Sequence, residues 1–216
     1  MRLHCRTALL LILAASVPVA GCSDRSPTEP VPVTALGFTY SGDRSGSYQV
    51  QGDVPLTVEG RPGHGTWAAA LQVPGSDLSI TAARAGTAPM ADVFLIALHN
   101  ITAPGTYSLD QDQGCNHQTP TSCAVGMFAF NYNWNTSDQL PDPYYLLASG
   151  TITITAMDAE RVRGTFQLGG VRYPSGSATI SLSNGSFEVP IVQSLAVRQN
   201  LVPLWGALEQ LRSLHP

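Results

Sequence analysis

The sequence predicts an all-β domain, an antiparallel β-sandwich or a flattened barrel, followed by a short C-terminal helix. Three observations carry this. Residues 151–155 (Thr-Ile-Thr-Ile-Thr) and 178–182 (Ala-Thr-Ile-Ser-Leu) alternate at period two, the mark of a strand with one buried and one wetted face. Residues 93–98 (Val-Phe-Leu-Ile-Ala-Leu) are apolar without alternation, as a strand covered on both faces requires. Turn residues rather than helical patterns separate such runs, which favours antiparallel neighbours with short connections.

At the start of the chain, Arg2 and Arg6 precede an apolar run over residues 8–17 and then Val19-Ala20-Gly21-Cys22. The run is too short to span a bilayer and suits an export leader that is removed. These residues resemble a bacterial lipoprotein signal. The resemblance implies a diacylglycerol on the Cys22 thiol, cleavage after Gly21 and acylation of the new amino group. Two or three acyl chains, each buried CH₂ worth about 0.8 kcal/mol, anchor a protein durably to a membrane. Ser23 after the cysteine, where an aspartate signals inner-membrane retention, points to the outer membrane of a bacterial cell envelope. The expected organisation is a signal peptide over 1–21, the lipidated Cys22 and an extended tether over 22–36, a β domain over 37–192 and a tail over 193–216. The tether reads Ser-Asp-Arg-Ser-Pro-Thr-Glu-Pro-Val-Pro from Ser23, too polar and proline-rich to join a core.

The 11 basic and 15 acidic residues give a net charge of −4, which loss of Arg2 and Arg6 makes more negative. Nucleic acid and anionic lipid surfaces demand clustered positive charge and are not expected partners. Cys5 leaves with the leader and Cys22 carries lipid. Cys115 and Cys123 are then a pair in an oxidising compartment, and a disulfide is the default reading.

Along the β domain, Ala103-Pro104-Gly105 turns the chain from the 93–98 strand into residues 106–109. Asp158-Ala159-Glu160 turns the 151–155 strand into residues 162–168. Asn184-Gly185 tolerates positive φ and predicts a tight hairpin between residues 178–182 and 186–189. In the tail, Pro203 opens a helical pattern with Leu204, Leu208 and Leu211 at i, i+4 and i+7 and Trp205 widening the apolar face. Such a helix either closes one end of the sandwich or docks on a partner; Gly206 weakens it in isolation.

Gly65-Thr66-Trp67-Ala68-Ala69, Gly105-Thr106-Tyr107, Gly150-Thr151-Ile152-Thr153-Ile154, Arg163-Gly164-Thr165-Phe166 and Asn184-Gly185-Ser186-Phe187 follow one another in an order that resembles a bacterial lipoprotein domain family of unknown function. The likeness covers roughly residues 60–192. It implies an all-β fold and surface anchoring, and it transfers no catalytic residue.

Phe128, Phe130, Tyr132 and Trp134 occupy alternate positions, so a regular strand projects all four from one face. Such a stripe is either a core face or a platform for sugar rings or lipid-like ligands, with Asn131, Asn133 and Asn135 opposite. Phe128 and Phe130 lack a polar atom to present and read as core. Tyr132, Trp134, Tyr144 and Tyr145 carry polar handles and are the candidate ligand-binding residues. Asp110, Asp112 and Gly114 begin like a calcium loop, but the glycine falls where a ligand belongs and no acidic residue stands eleven places after Asp110. Cys115, His117 and Cys123 lack an evident fourth zinc ligand. His64 sits in a glycine-rich loop and His99 ends the 93–98 strand. No nucleophile elbow, zincin motif or phosphate loop is present, and no catalytic residue, cofactor or metal is assigned. The expected function is a membrane-anchored, non-enzymatic binding or interaction module, with a glycan or an envelope protein as partner. The alternatives are a structural subunit docking through its C-terminal segment and, less favoured, an envelope hydrolase.

Overall fold

The computed structural model describes residues 34–52, 65–73, 77–87, 89–110, 123–133, 144–174 and 176–192. Its ten strands are β1 (Ala35–Gly42), β2 (Gly46–Gln51), β3 (Trp67–Val73), β4 (Asp77–Ala85), β5 (Met90–His99), β6 (Gly105–Asp110), β7 (Cys123–Asn133), β8 (Tyr144–Met157), β9 (Arg161–Tyr173) and β10 (Thr179–Pro190). All ten lie in one sheet, in the order β2-β1-β10-β9-β8-β6-β7-β5-β4-β3. The sheet curls into a nearly closed barrel, which decides between the two predicted architectures. The first strand begins two residues ahead of the predicted domain start at Gly37. The predicted C-terminal helix lies outside the described residues.

Closure disposes of the sheet edges, whose free amides and carbonyls would otherwise invite pairing with other chains. The Ala68 amide donates to Gly52 O just past β2 at 3.1 Å, and the Val192 amide just past β10 donates to Ala70 O at 2.8 Å. Both bonds tie β3 to the far side of the sheet. Sequence neighbours are not always sheet neighbours. β1 lies between β2 and β10, and β6 inserts beside β8, antiparallel to it, while touching β7 in a single parallel bridge at Leu109 and Ala124. The long β8 pairs with β7 through its first residues and with β6 further on.

Alternation determines the wall. Leu36, Phe38, Tyr48, Val50, Ile152, Ile154, Ile180 and Leu182 are buried, whereas Thr39, Gln49, Thr151, Gln167 and Ser181 point to solvent. Inside, the ring of Phe38 lies 4.9 Å from Tyr48, 5.1 Å from Phe94, 5.1 Å from Phe128 and 5.7 Å from Phe166. The interior is thus a packed core rather than a lumen, and each such ring contributes about 1.5–3 kcal/mol by burial. The opposite half of the barrel differs: on β5 every residue from Val93 to Leu98 is buried, so this strand is covered on both faces as predicted.

Glycine and phenylalanine exchange places across β9 and β10. Gly164 opposes Phe187, and Phe166 opposes Gly185. A Cβ at Gly164 would strike Thr153 O on β8 and sit 2.5 Å from Phe187 Cζ, and one at Gly185 would strike the ring of Phe166. Each ring fills the space its facing glycine leaves, the device by which aromatic residues rescue glycine in sheets. The spacing of the Gly-Thr-Phe and Gly-Ser-Phe elements follows from this reciprocity.

Two readings need correction. Asn184-Gly185 makes no hairpin: β10 runs unbroken through it, and the register slips between the Leu182–Leu168 and Gly185–Phe166 pairs. Asn184, at φ 54°, is the extra residue of a β-bulge that keeps Leu182 and Gly185 both facing inward. The aromatic stripe of β7 also fails to share one face. A second bulge lies between the Val93–Ala129 and Ala91–Tyr132 pairs, with Asn131 at φ 53°. Phe128 and Phe130 pack on the interior, but Tyr132 joins Trp67, Ala83 and Val93 on the outer wall. The predicted turn at Asp158 is present: its Oδ1 accepts from the Glu160 and Arg161 amides, both at 2.8 Å.

Candidate functional site

The candidate residues do not converge. Successive residues of a strand face opposite ways, so Tyr144 packs on the outer wall with Leu146 and Met127 while Tyr145 packs inward with Leu147 and Phe128. Tyr132 is buried on the outer wall in a separate cluster. Trp134 lies outside the described residues, as do Cys22, Cys115, His64, Asp112, Gly114, His117 and Asn135. Cys123 opens β7. Among the described residues, no group of three His, Cys, Asp or Glu is placed to hold a metal ion.

Around Tyr145 the barrel rim gathers chemistry. At this rim β1, β4 and β7 end and β2, β5 and β8 begin. The β1–β2 turn carries Asp43 and Arg44, anchored by the Asp43 amide donating to Thr179 O at 2.9 Å. The Tyr145 hydroxyl donates to Asp43 Oδ2. The Arg44 guanidinium lies 4.6 Å from the centroid of the Phe130 ring, and Tyr40 meets Phe130 at 5.5 Å. Burial, the Asp43 hydrogen bond and the Asp43 charge together hold the Tyr145 phenol above its ordinary range.

A second charged layer backs the first. Arg84 Nη2 donates to Asp92 Oδ2 at 2.7 Å and Nη1 to Ser47 O at 2.9 Å. Its guanidinium also lies 4.9 Å from the Tyr48 ring centroid. Partial burial disfavours this cation, yet the bond and charge of Asp92 outweigh it and raise its pKa. Asp92 Oδ1 accepts from the Asn131 amide at 3.1 Å, so the same carboxylate pins the β7 bulge. Its backbone carbonyl accepts from the Tyr48 hydroxyl at 3.2 Å. The rim therefore presents two arginines on aromatic faces, each beside a carboxylate, on a rigid frame. It can stack planar or sugar rings and hydrogen-bond polar groups. Sequence reasoning found Tyr145 but missed Asp43, Arg44, Arg84 and Asp92. They come from separate segments, and no local motif joins them.

At the opposite rim His99 Nδ1 and Asp77 Oδ1 are 2.5 Å apart. Register sets Cys123 opposite His99 and places Asp77 beside it on β4. An imidazole held by a carboxylate can serve as a base, and here it also ties β4 to β5. Across β8–β10, Ala148, Ser149, Val171, Thr179, Ile180 and Ser181 line a shallow groove of mixed polar and apolar character.

Compared with known proteins, the chain matches no family model, no curated protein and no solved structure.

Proposed function

We propose that the mature chain is an envelope lipoprotein, held through lipid on Cys22, whose barrel is a non-enzymatic binding module. The observation that carries the binding reading is the rim at Tyr145, where exposed Arg44 stands over Phe130, itself against Tyr40, and exposed Asp43 accepts from the Tyr145 hydroxyl. Because the interior is filled with side chains, recognition belongs to the rim rather than to a lumen. Rings that bear hydroxyl groups, as in envelope glycans, match this mixture of aromatic faces and charge-assisted hydrogen bonds. In the sequence Trp134 directly follows Asn133, the last residue of β7. The Cys115–Cys123 disulfide would brace the start of β7.

The test is intrinsic tryptophan fluorescence of soluble residues 23–216, titrated with cell-wall glycans, other polysaccharides and lipids. A saturable change is expected, lost in folded Arg44→Ala and Trp134→Ala variants. No response from folded protein would overturn the glycan reading and favour the structural-subunit alternative. The hydrolase alternative rests on the Asp77–His99 pair and requires turnover that His99→Gln abolishes.

A further inference from the structure

We infer that the rim at Tyr145 binds a sugar that carries a carboxylate, with Arg44 as the fork that receives it and Arg172 as a second cation beside the site. The inference rests on the glycan reading of this rim and narrows it to acidic rings. Register brings Arg172 there. It stands directly opposite Tyr145 in the β8–β9 ladder, so the two side chains leave the same face of the sheet. On β9 this is the core face of Val162, Phe166 and Leu168, and Arg172 continues it, half-buried, at the rim. Arg44 and Arg172 both lie close enough for their charges to favour ionisation of the Tyr145 phenol, against the stronger opposing effects of burial and Asp43.

Charge and geometry then select the ligand. Among the described residues Arg84 pairs with Asp92, and Arg161 and Arg163 share Glu188, whereas Arg44 and Arg172 have no ion pair. The carboxylate beside them is Asp43, which accepts the Tyr145 hydroxyl. Two guanidinium groups against one carboxylate make a local excess of positive charge among the described residues, in a chain of net charge −4. Stacking also orients Arg44. Its exposed guanidinium lies 4.6 Å from the centroid of Phe130, and a guanidinium laid on a ring keeps the N–H donors along its edge for other partners. A carboxylate is planar and takes such a fork in two parallel hydrogen bonds. Exposed Asp43 offers an acceptor to ring hydroxyls, and half-buried Tyr40 and Phe130 offer apolar surface to ring carbons. The single negative charge of a carboxylate matches the excess at the rim. A phosphate monoester, at about −1.5 to −2 at pH 7, exceeds it and is repelled more strongly by Asp43.

The experiment is isothermal titration calorimetry of the full chain, expressed in a bacterium and purified in detergent. The probes are oligogalacturonate, hyaluronan oligosaccharides and peptide-free glycan strands containing muramic acid, each paired with a counterpart whose carboxylates are methyl-esterified. At least one acidic glycan should bind, and about tenfold or more tighter than its own ester. Arg44→Gln should weaken the acid form by about tenfold and leave the ester unchanged, and Arg44→Lys should recover only part, since it restores charge without the fork. Arg172→Gln should weaken the acid form less, by an amount that shrinks as salt is raised. The acid–ester comparison uses the unaltered protein, so it stands whatever the stability of the variants. Equal affinity for acid and ester would overturn the carboxylate and leave the glycan reading standing, whereas no binding by any glycan would overturn both. Acid binding that ignores both Arg44→Gln and Arg172→Gln would place the carboxylate elsewhere and overturn the inference. Tighter binding of a phosphorylated mannan oligosaccharide than of every carboxylated probe would overturn it too.

Discussion

The ring of Phe187 lies on Gly164 across the β9–β10 ladder, and one step along Phe166 returns the contact onto Gly185. The two rings themselves stack at 6.4 Å with planes 28° apart. Space at these glycines is filled from the neighbouring strand. Gly164→Ala should therefore destabilise the barrel by roughly 2–3 kcal/mol through overpacking, and Phe187→Ala by roughly 3–5 kcal/mol through cavity formation. Denaturant midpoints of both single variants and of the double variant test the relationship. The double variant should fall short of the sum by the part of the overpacking that the Phe187 ring causes, while the approach of the new Cβ to Thr153 O remains.

Tyr144 and Tyr145 should respond oppositely to loss of the hydroxyl. The Tyr144 hydroxyl is buried on the outer wall with no hydrogen-bond partner among the described residues, so Tyr144→Phe should be neutral or stabilising by up to about 1 kcal/mol. Tyr145→Phe removes the bond to Asp43 and should cost about 1–2 kcal/mol. Equal losses in chemical denaturation would contradict the assignment of one tyrosine to each wall.

Alkaline pH should weaken the fold. Burial raises the phenols of Tyr48 and Tyr145 above the ordinary 10.0, with Asp92 and Asp43 respectively adding to the effect, and burial raises Tyr144 likewise. The folded state retains these protons after the unfolded chain has released them. The stability this confers is complete below the unfolded phenol pKa and declines as pH rises through the folded values. Denaturation midpoints should hold to about pH 9 and drop steeply toward pH 11, with a shallower drop in Tyr48→Phe. A flat profile would sink this prediction.

On the proposed anchoring, expression of the full chain in a bacterium should put it in the membrane fraction and Cys22→Ala should move it to the soluble fraction, since acyl chains on Cys22 supply the proposed anchor. Persistence of Cys22→Ala at the membrane would assign the anchor elsewhere.

Without reductant, denatured mature protein should show no reactive thiol. Cys115→Ser/Cys123→Ser should lose about 2–3 kcal/mol of stability, the chain-entropy value for so short a loop. Two titratable thiols in the untreated protein would exclude the pairing.

Local pattern made several elements legible. Ile152 and Ile154 face inward as their alternation requires, residues 93–98 are buried on both sides, and Asp158 caps its turn with a carboxylate lowered by two backbone hydrogen bonds. The bulges were not legible, because asparagine in a left-handed conformation serves hairpin turns and bulges alike. Only the register of Leu168 and Phe166 against β10 tells that Asn184 is a bulge. The same ambiguity at Asn131 moved Tyr132 to the other wall and dissolved the aromatic stripe.

The rim shows the limit most sharply. Asp43 and Tyr145 are 102 residues apart, and Arg84 reaches Ser47 from another strand. The sequence by itself determined which segments become strands and which of their faces are apolar, since period and side-chain chemistry act within a few residues. Tertiary structure alone decided the strand order, the closure through Ala68 and Val192, and the meeting of arginine with ring and carboxylate at the rim. Those depend on which strand edges pair, and pairing free energy is summed over residues far apart in the chain.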